Sequence, residues 1–236
     1  MATVSNVDQP KFSICILTYN HPHLLDQRLG ELEVFCGEHR PQVCVLDNGG
    51  ERGPVQLMVA RHLDSAIDVV GYRVAQNLGF GPGFNFLATK ATGQYLILLS
   101  DDVSVLGDFL TPLAEIVKRV EHGVVCHRLI DWKAGWNQFG DAVIPYPEGY
   151  FLAMSRGTWD VLGGFDVRYE PYDYEDVDLG MNAREHGFLL VQAADLPLRH
   201  AGAGTLGFNP ERTELTVRMR ARFAEKWNLP NSPERP

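Results

Sequence analysis

Tyr95-Leu96-Ile97-Leu98-Leu99-Ser100-Asp101-Asp102 is the stretch on which the reading of the fold turns. The apolar run Tyr95–Leu99 is too short for a buried helix. It lacks the apolar/polar alternation of a half-exposed strand, so it reads as a strand covered on both faces, the kind found inside a parallel sheet. Two adjacent carboxylates follow it almost at once. Working outward, Phe12–Leu17, Val43–Leu46 and Val69–Val74 read as further strands. Between them Pro22–Cys36 carries Leu24, Leu25, Leu29, Leu32, Phe35 and Cys36 at helical spacing, and Pro54–Leu63 opens with the proline that suits a first helical turn. Gly83–Thr92 and the amphipathic Asp108–Val120 read as the next helices. This β-α-β-α rhythm predicts an α/β fold, a Rossmann-like, mostly parallel sheet flanked by helices.

The second half is less regular. Residues 129–149, with Gly135, Gly140, Pro145 and Pro147, read as short strands or loop. Tyr150–Met154 and Phe188–Gln192 read as strands, and Arg156–Leu162, Asp176–His186 and Glu211–Trp227 as helices. No linker is apparent, so a single domain is expected over 1–236: a nucleotide-binding half (1–127), a smaller acceptor-side β region with catalytic residues (128–210), and a C-terminal helix and tail (211–236).

The 236 residues carry 21 Lys and Arg against 30 Asp and Glu, a net charge of −9. That balance disfavours a nucleic-acid partner, since phosphate-backbone binding needs clustered cations. The one basic concentration, Arg212, Arg218, Arg220, Arg222 and Lys226, reads either as a solvated helix face or as a contact for a phosphate-bearing or lipid-linked acceptor. Cys15, Cys36, Cys44 and Cys126 form no CxxC pair and read as buried reduced thiols, which suits a reducing compartment. Residues 1–11 lack the apolar core of a signal peptide, and no apolar run reaches the ~18–20 residues of a membrane span. A cytoplasmic protein is expected, with contact to a membrane surface left open.

In open parallel sheets ligands sit beyond the carboxyl ends of the strands. The residues there are Thr18-Tyr19-Asn20, Asp47-Asn48-Gly49, Gln76-Asn77-Leu78-Gly79 and Ser100-Asp101-Asp102. Asp101 and Asp102 read either as a helix N-cap beside a solvated acid or as a metal and ribose site, because adjacent carboxylates repel one another unless a cation is present. A second acidic stretch, Tyr172 to Leu179, holds Asp173, Glu175, Asp176 and Asp178. It reads as a helix N-terminus that favours anions, or as a source of a general base; the spacing does not fit an EF-hand loop. His200, followed by small residues, reads as a structural histidine or, with Asp102, as part of a mixed O/N metal site. Gly79-Phe80-Gly81-Pro82-Gly83 only superficially mimics a dinucleotide loop: it follows the third strand, and Pro82 lacks the N–H needed to cradle phosphate.

The ordered set FSICILTYN, VCVLDNG, QNLGFGPGFN, ATGQYLILLSDD, GYFLAMSRGTWDVLGGFD, YEDVDLGMNAREHGF and RHAGAG resembles the family 2 glycosyltransferases, from about Phe12 to about Thr205. The resemblance implies a GT-A fold and a metal-dependent, inverting transfer of sugar from a UDP-, dTDP- or GDP-sugar to a hydroxyl of a glycan, glycolipid or other acceptor. It implies that Thr18, Tyr19 and Asn20 line the nucleotide pocket, that Asp47 accepts a hydrogen bond from the base, and that Asn77 and Asn85 border nucleotide and sugar. Asp101 would lie near the ribose or sugar. Asp102 and His200 would ligate Mn²⁺ or Mg²⁺, although Ser100 stands where many members have a third acid. Glu175 and Asp176 match the acceptor-side acidic pair, with Asp176 the base. The aromatic residues Trp132, Trp136, Phe139, Tyr146, Tyr150, Tyr169, Tyr172 and Tyr174 read as sugar-stacking surfaces or as loop packing. A retaining transferase, a nucleotidyltransferase and a non-catalytic nucleotide-sugar-binding module remain the alternatives.

Overall fold

The computed structural model describes residues 12–120, 122–201 and 210–230. The first half runs β1 (Phe12–Thr18), α1 (Pro22–Cys36), β2 (Gln42–Asn48), α2 (Pro54–Arg61), β3 (Asp68–Val74), α3 (Phe80–Ala88), β4 (Tyr95–Ser100), β5 (Val103–Val105), α4 (Leu110–Arg119) and β6 (Gly123–Cys126). Four two-residue strands follow: β7 (Leu129–Ile130), β8 (Gln138–Phe139), β9 (Ala142–Val143) and β10 (Tyr146–Pro147). The chain continues through β11 (Phe151–Ser155), α5 (Arg156–Leu162), α6 (Glu175–Glu185), β12 (Leu189–Gln192), β13 (Leu198–His200) and α7 (Pro210–Lys226).

Seven strands form one sheet in the order β12-β6-β11-β4-β1-β2-β3. Four of its six pairings are parallel; β11 runs antiparallel to both β4 and β6. The fold is therefore the expected α/β architecture with a mostly parallel sheet. Its inner strands bury both faces, and the two-residue period of the pleat divides their side chains between two cores. Ile14, Ile16, Val43, Val45, Ile97 and Leu99 pack against α1, α2 and α4. Cys15, Cys44, Leu46, Leu96 and Leu98 pack against α3, α5 and α6. A third cluster joins Phe139, Ile144, Tyr169, Tyr174 and Val177 to Leu215, Met219 and Phe223 of α7. All four cysteines are buried and unpaired. Among the described residues, no helix is long and apolar enough to cross a membrane.

Three elements differ from the sequence reading. Helix α3 starts at Phe80, three residues earlier than Gly83, and takes in Gly81, Pro82 and Gly83. A proline in a first turn costs nothing, because that N–H has no partner within the helix. The glycines are packing positions: a Cβ on Gly83 would lie 2.6 Å from Leu17 Cδ1 and one on Gly81 3.0 Å from Phe165 Cβ. Second, no helix follows Asp101-Asp102. The chain turns directly into β5, which pairs with β13, so the N-cap reading of these acids falls. Third, β6 enters the large sheet although Gly123–Cys126 is too short to stand out in the sequence. The Gly-rich stretch 202–207 lies outside the described residues.

Candidate active site

A cleft of about 450 Å³ opens at the carboxyl ends of the strands. Thr18 at the end of β1 and Tyr19 after it, Asn48 and Asn77, and Asp101 and Asp102 after β4 line it from the sheet side. Gly149, Tyr150, Tyr172, Glu175, Asp176, His200 and Arg212 line it from the second half.

Around β4, Thr18 donates its hydroxyl to Asp101 Oδ2 at 2.7 Å in a buried bond. His21 Nδ1 lies 3.6 Å from the same oxygen and is buried without a hydrogen-bond partner. Beneath the turn Arg28 is almost fully buried; it donates Nε–H to the Asp101 carbonyl and pairs with Glu31, which in turn accepts the Val105 N–H at 2.7 Å. Burial lowers the Arg28 pKa, opposed by the charges of Glu31, Asp101 and Asp102. Burial raises that of Asp101, opposed chiefly by the Thr18 bond. Arg28 was not singled out in the sequence. Its signal was a cation set within the Leu25-Leu29-Leu32 stripe of α1, where an unpaired charge would be costly.

Asp102 Oδ2 and His200 Nε2 stand 3.3 Å apart, both on the cleft. The β13–β5 pairing sets His200 opposite Val103, one residue past Asp102. A carboxylate oxygen and an imidazole nitrogen at that distance suit a divalent cation of the Mn²⁺ or Mg²⁺ type. Among the described residues, no group of three His, Cys, Asp or Glu side chains could hold a metal by itself. An ion held by this pair would need its remaining ligands from a bound phosphate or water.

The acidic stretch before and within α6 divides. Two consecutive left-handed residues, Asp173 and Tyr174, both with φ 74°, turn the chain into the helix. Asp173 pairs with Arg212 at 3.2 Å and accepts the Thr216 hydroxyl. Asp178 accepts from Lys226 Nζ at 2.7 Å, Trp227 Nε1 at 2.8 Å and the Tyr169 hydroxyl at 3.1 Å. Both outer acids thus tie α6 to α7. The inner two face the cleft, and Asp173 lines it as well, beside Arg212. Asp176 accepts the Gly149 N–H at 3.0 Å and the Val177 N–H at 2.8 Å, and Glu175 Oε2 is buried without a partner. Burial pushes the carboxyl pKa of Asp176 up to about 7; the two N–H bonds oppose the shift, and the charges of Asp173 and Glu148 add to it. Burial and then the charge of Asp176 push Glu175 well above the ordinary carboxylate range.

Three residues expected at the site do not line the cleft. Asn85 is committed at both ends of its amide to the Phe165 backbone, at 2.8 and 2.9 Å. Asp47 is fully buried and accepts from Arg73, from Gln56 Nε2 at 2.9 Å and from the Gly50 N–H at 3.1 Å. Asn20, at φ 58°, accepts the Glu51 N–H at 2.8 Å. Each holds a loop beside the cleft. Asn48, in contrast, does line it. It links Asn77, the Leu78 N–H and the Gly79 carbonyl, and so orders the loop after β3. The Phe80 N–H, at the start of α3, is spent on the Pro171 carbonyl at 2.8 Å rather than offered to an anion.

The basic residues of α7 serve neither expected role uniformly. Arg220 is buried over the Phe139 ring at 4.1 Å, Arg222 donates to the Arg168 carbonyl, and Lys226 joins Asp166 and Asp178. The aromatic residues also divide: Phe139, Tyr169 and Tyr174 are core, Tyr150 and Tyr172 reach the cleft, and exposed Trp132 carries Arg128 over its ring.

The α/β fold carries an acid-rich cleft of about 450 Å³ across its strand ends. The chain belongs to glycosyl transferase family 2: that family's model matches residues 13–166, well over half of its length. No curated protein matches it in sequence. Solved structures of GT-A glycosyltransferases share the fold at low identity. A mannosyltransferase from Pyrobaculum calidifontis in complex with GDP-Man and Mn²⁺ matches with a TM-score of 0.69 at 15% identity, over 93% of this chain and 65% of that one. S. aureus TarS 1-349 in complex with UDP-GlcNAc gives 0.63 at 14%, over 90% and 66%. GalNAc-T7 with UDP, GalNAc and Mn²⁺ gives 0.72 at 14%, over 92% and 49%. The chain thus spans between about half and two thirds of these three proteins.

Proposed function

We propose that the chain transfers a sugar from a nucleoside-diphosphate sugar to an acceptor hydroxyl, with inversion and with the help of a divalent metal. One observation carries this reading. Two acid pairs of different character, Asp101/Asp102 at a strand end and Glu175/Asp176 at a helix start, open on the same cleft. In this reading residues 1–127 hold the donor and residues 128–210 hold the acceptor, with 211–236 bracing the acceptor side. Thr18, Tyr19 and Asn77 border the nucleotide, and Asp101 receives the ribose or sugar. Asn20, Asp47 and Asn85 act through the loops they hold. Asp102 and His200 would hold Mn²⁺ or Mg²⁺, which would offset negative charge on the diphosphate.

The base works from the other side. The acceptor oxygen bonds to the anomeric carbon as the bond from that carbon to the diphosphate breaks, and the hydroxyl proton passes to Asp176. A carboxylate whose pKa lies near neutrality is well matched to that proton. Its bonds to Gly149 and Val177 fix its direction, and fixed geometry removes much of the entropic cost of bringing two substrates together. Attack opposite the leaving group inverts the centre. The four buried, unpaired cysteines support a reducing, cytoplasmic setting.

The neighbours' ligands make GDP- and UDP-sugars the first donors to try. The test is thermal unfolding with UDP, GDP, dTDP, CDP and ADP, each with and without Mn²⁺. A ligand that binds only the native state raises the melting temperature by mass action. The expected outcome is a metal-dependent rise with one of UDP, GDP or dTDP. No rise with any nucleotide in a folded sample would overturn the reading.

A further inference from the structure

Tyr150 stacks on the His200 arm of the Asp102–His200 pair and bonds the end of the strand that leads into Asp102. Its ring lies nearly parallel to the His200 imidazole, with centroids 4.2 Å apart and planes at 18°. Its carbonyl accepts the N–H of Ser100 at 2.9 Å, the residue just before Asp101-Asp102. Its hydroxyl is hydrogen-bonded to His127 Nδ1 at 2.7 Å, which ties the far edge of the ring to the segment after β6. His200 itself ends a three-residue strand that, among the described residues, pairs only with β5, outside the seven-stranded sheet. That pairing fixes its backbone and leaves the direction of its ring to side-chain contacts.

We infer that Tyr150 is a positioning residue: its stacked ring holds the His200 imidazole where it shares one divalent cation with Asp102, while its backbone holds the acidic turn. This rests on the metal-dependent reading above and adds the residue that sets the spacing of the pair. Partners that orient a ligating histidine are typically worth 10–100-fold in metal affinity. The rule is usually met as a hydrogen bond to the second ring nitrogen; here the restraint is a ring face.

Mn²⁺ binding to the protein, read by water-proton relaxation enhancement with UDP or GDP present and protein-free nucleotide as reference, tests the inference. Tyr150→Leu removes the ring but keeps the backbone bond to Ser100. Tyr150→Phe keeps the stack and loses only the His127 bond. The expected result is roughly 10–100-fold weaker Mn²⁺ binding for the leucine variant and a change of about threefold or less for the phenylalanine variant. Circular dichroism should be unchanged in both. Wild-type Mn²⁺ affinity in Tyr150→Leu, or equal loss in both variants, would overturn the positioning role. His200→Ala separates the two levels. If it also keeps full Mn²⁺ affinity, the assignment of His200 as ligand fails, and the role of Tyr150 with it.

Discussion

The cleft is faced by two acidic clusters, and their carboxylates are held in different ways. At the end of β4 each acid meets a side chain from elsewhere in the chain: Asp101 the Thr18 hydroxyl, Asp102 the His200 imidazole. At the start of α6 only the outer acids, Asp173 and Asp178, meet cations, and both are supplied by α7. Asp176 is left with two backbone N–H groups, and one oxygen of Glu175 has none. A carboxylate bonded to a side chain of another element serves as a tie. A buried carboxylate without a cation beside it holds its proton to a higher pH and can exchange it near neutrality. The difference is one of partners, side chains of distant elements at the strand end and backbone N–H groups at the helix start, since burial raises the pKa of Asp101 as well as those of Glu175 and Asp176.

The sharpest way to break the comparison is to cut a tie. Asp178→Ala leaves the Lys226 ammonium, the Trp227 N–H and the Tyr169 hydroxyl without their shared acceptor. We expect a loss of about 3 kcal/mol in urea unfolding, the low end for a buried pair because Lys226 is partly open to water. A second effect is expected at the inner pair, and it depends on pH. The folded-state pKa of Asp176 is raised to about 7, so the native state binds this proton more tightly than the unfolded chain. Its stabilising effect is fully present below the unfolded pKa near 4 and is lost as pH rises toward 7. Asp176→Asn should therefore flatten the fall in melting temperature between pH 4 and 7, and be more favourable to stability at pH 8 than at pH 4. In the wild type the transfer rate should rise with pH around 7, as the base loses its proton. A wild-type melting temperature that climbs over the same interval would contradict the assignment.

Much of this was legible in the sequence, for physical reasons. Strands β1, β2 and β4 are buried on both faces and announce themselves as apolar runs, and their polar endings marked the cleft. What escaped depends on partners far along the chain. Strand β6 has four residues and is a strand only because β11 and β12 flank it. Gly81-Pro82-Gly83 reads as a breaker until Leu17 and Phe165 are seen pressing against its glycines. The four acids between 173 and 178 look alike in sequence; Arg212 and Lys226, 39 and 48 residues further on, sort them. Asn85 and Asp47 carry the right chemistry for ligand contact, yet their hydrogen-bonding capacity is spent on the protein.

The most direct test of the division between the two clusters crosses two variants with two assays. Asp102→Asn and Asp176→Asn are each measured for the Mn²⁺-dependent rise in melting temperature with the responsive nucleoside diphosphate, and for sugar release from the matching donor to an acceptor panel or water. The account predicts that Asp102→Asn loses the metal-dependent rise. Asp176→Asn should keep it while turnover to an acceptor falls on the order of 10²–10⁴-fold. An Asp176→Asn enzyme with wild-type turnover, or an Asp102→Asn protein with an undiminished metal-dependent rise, would contradict it.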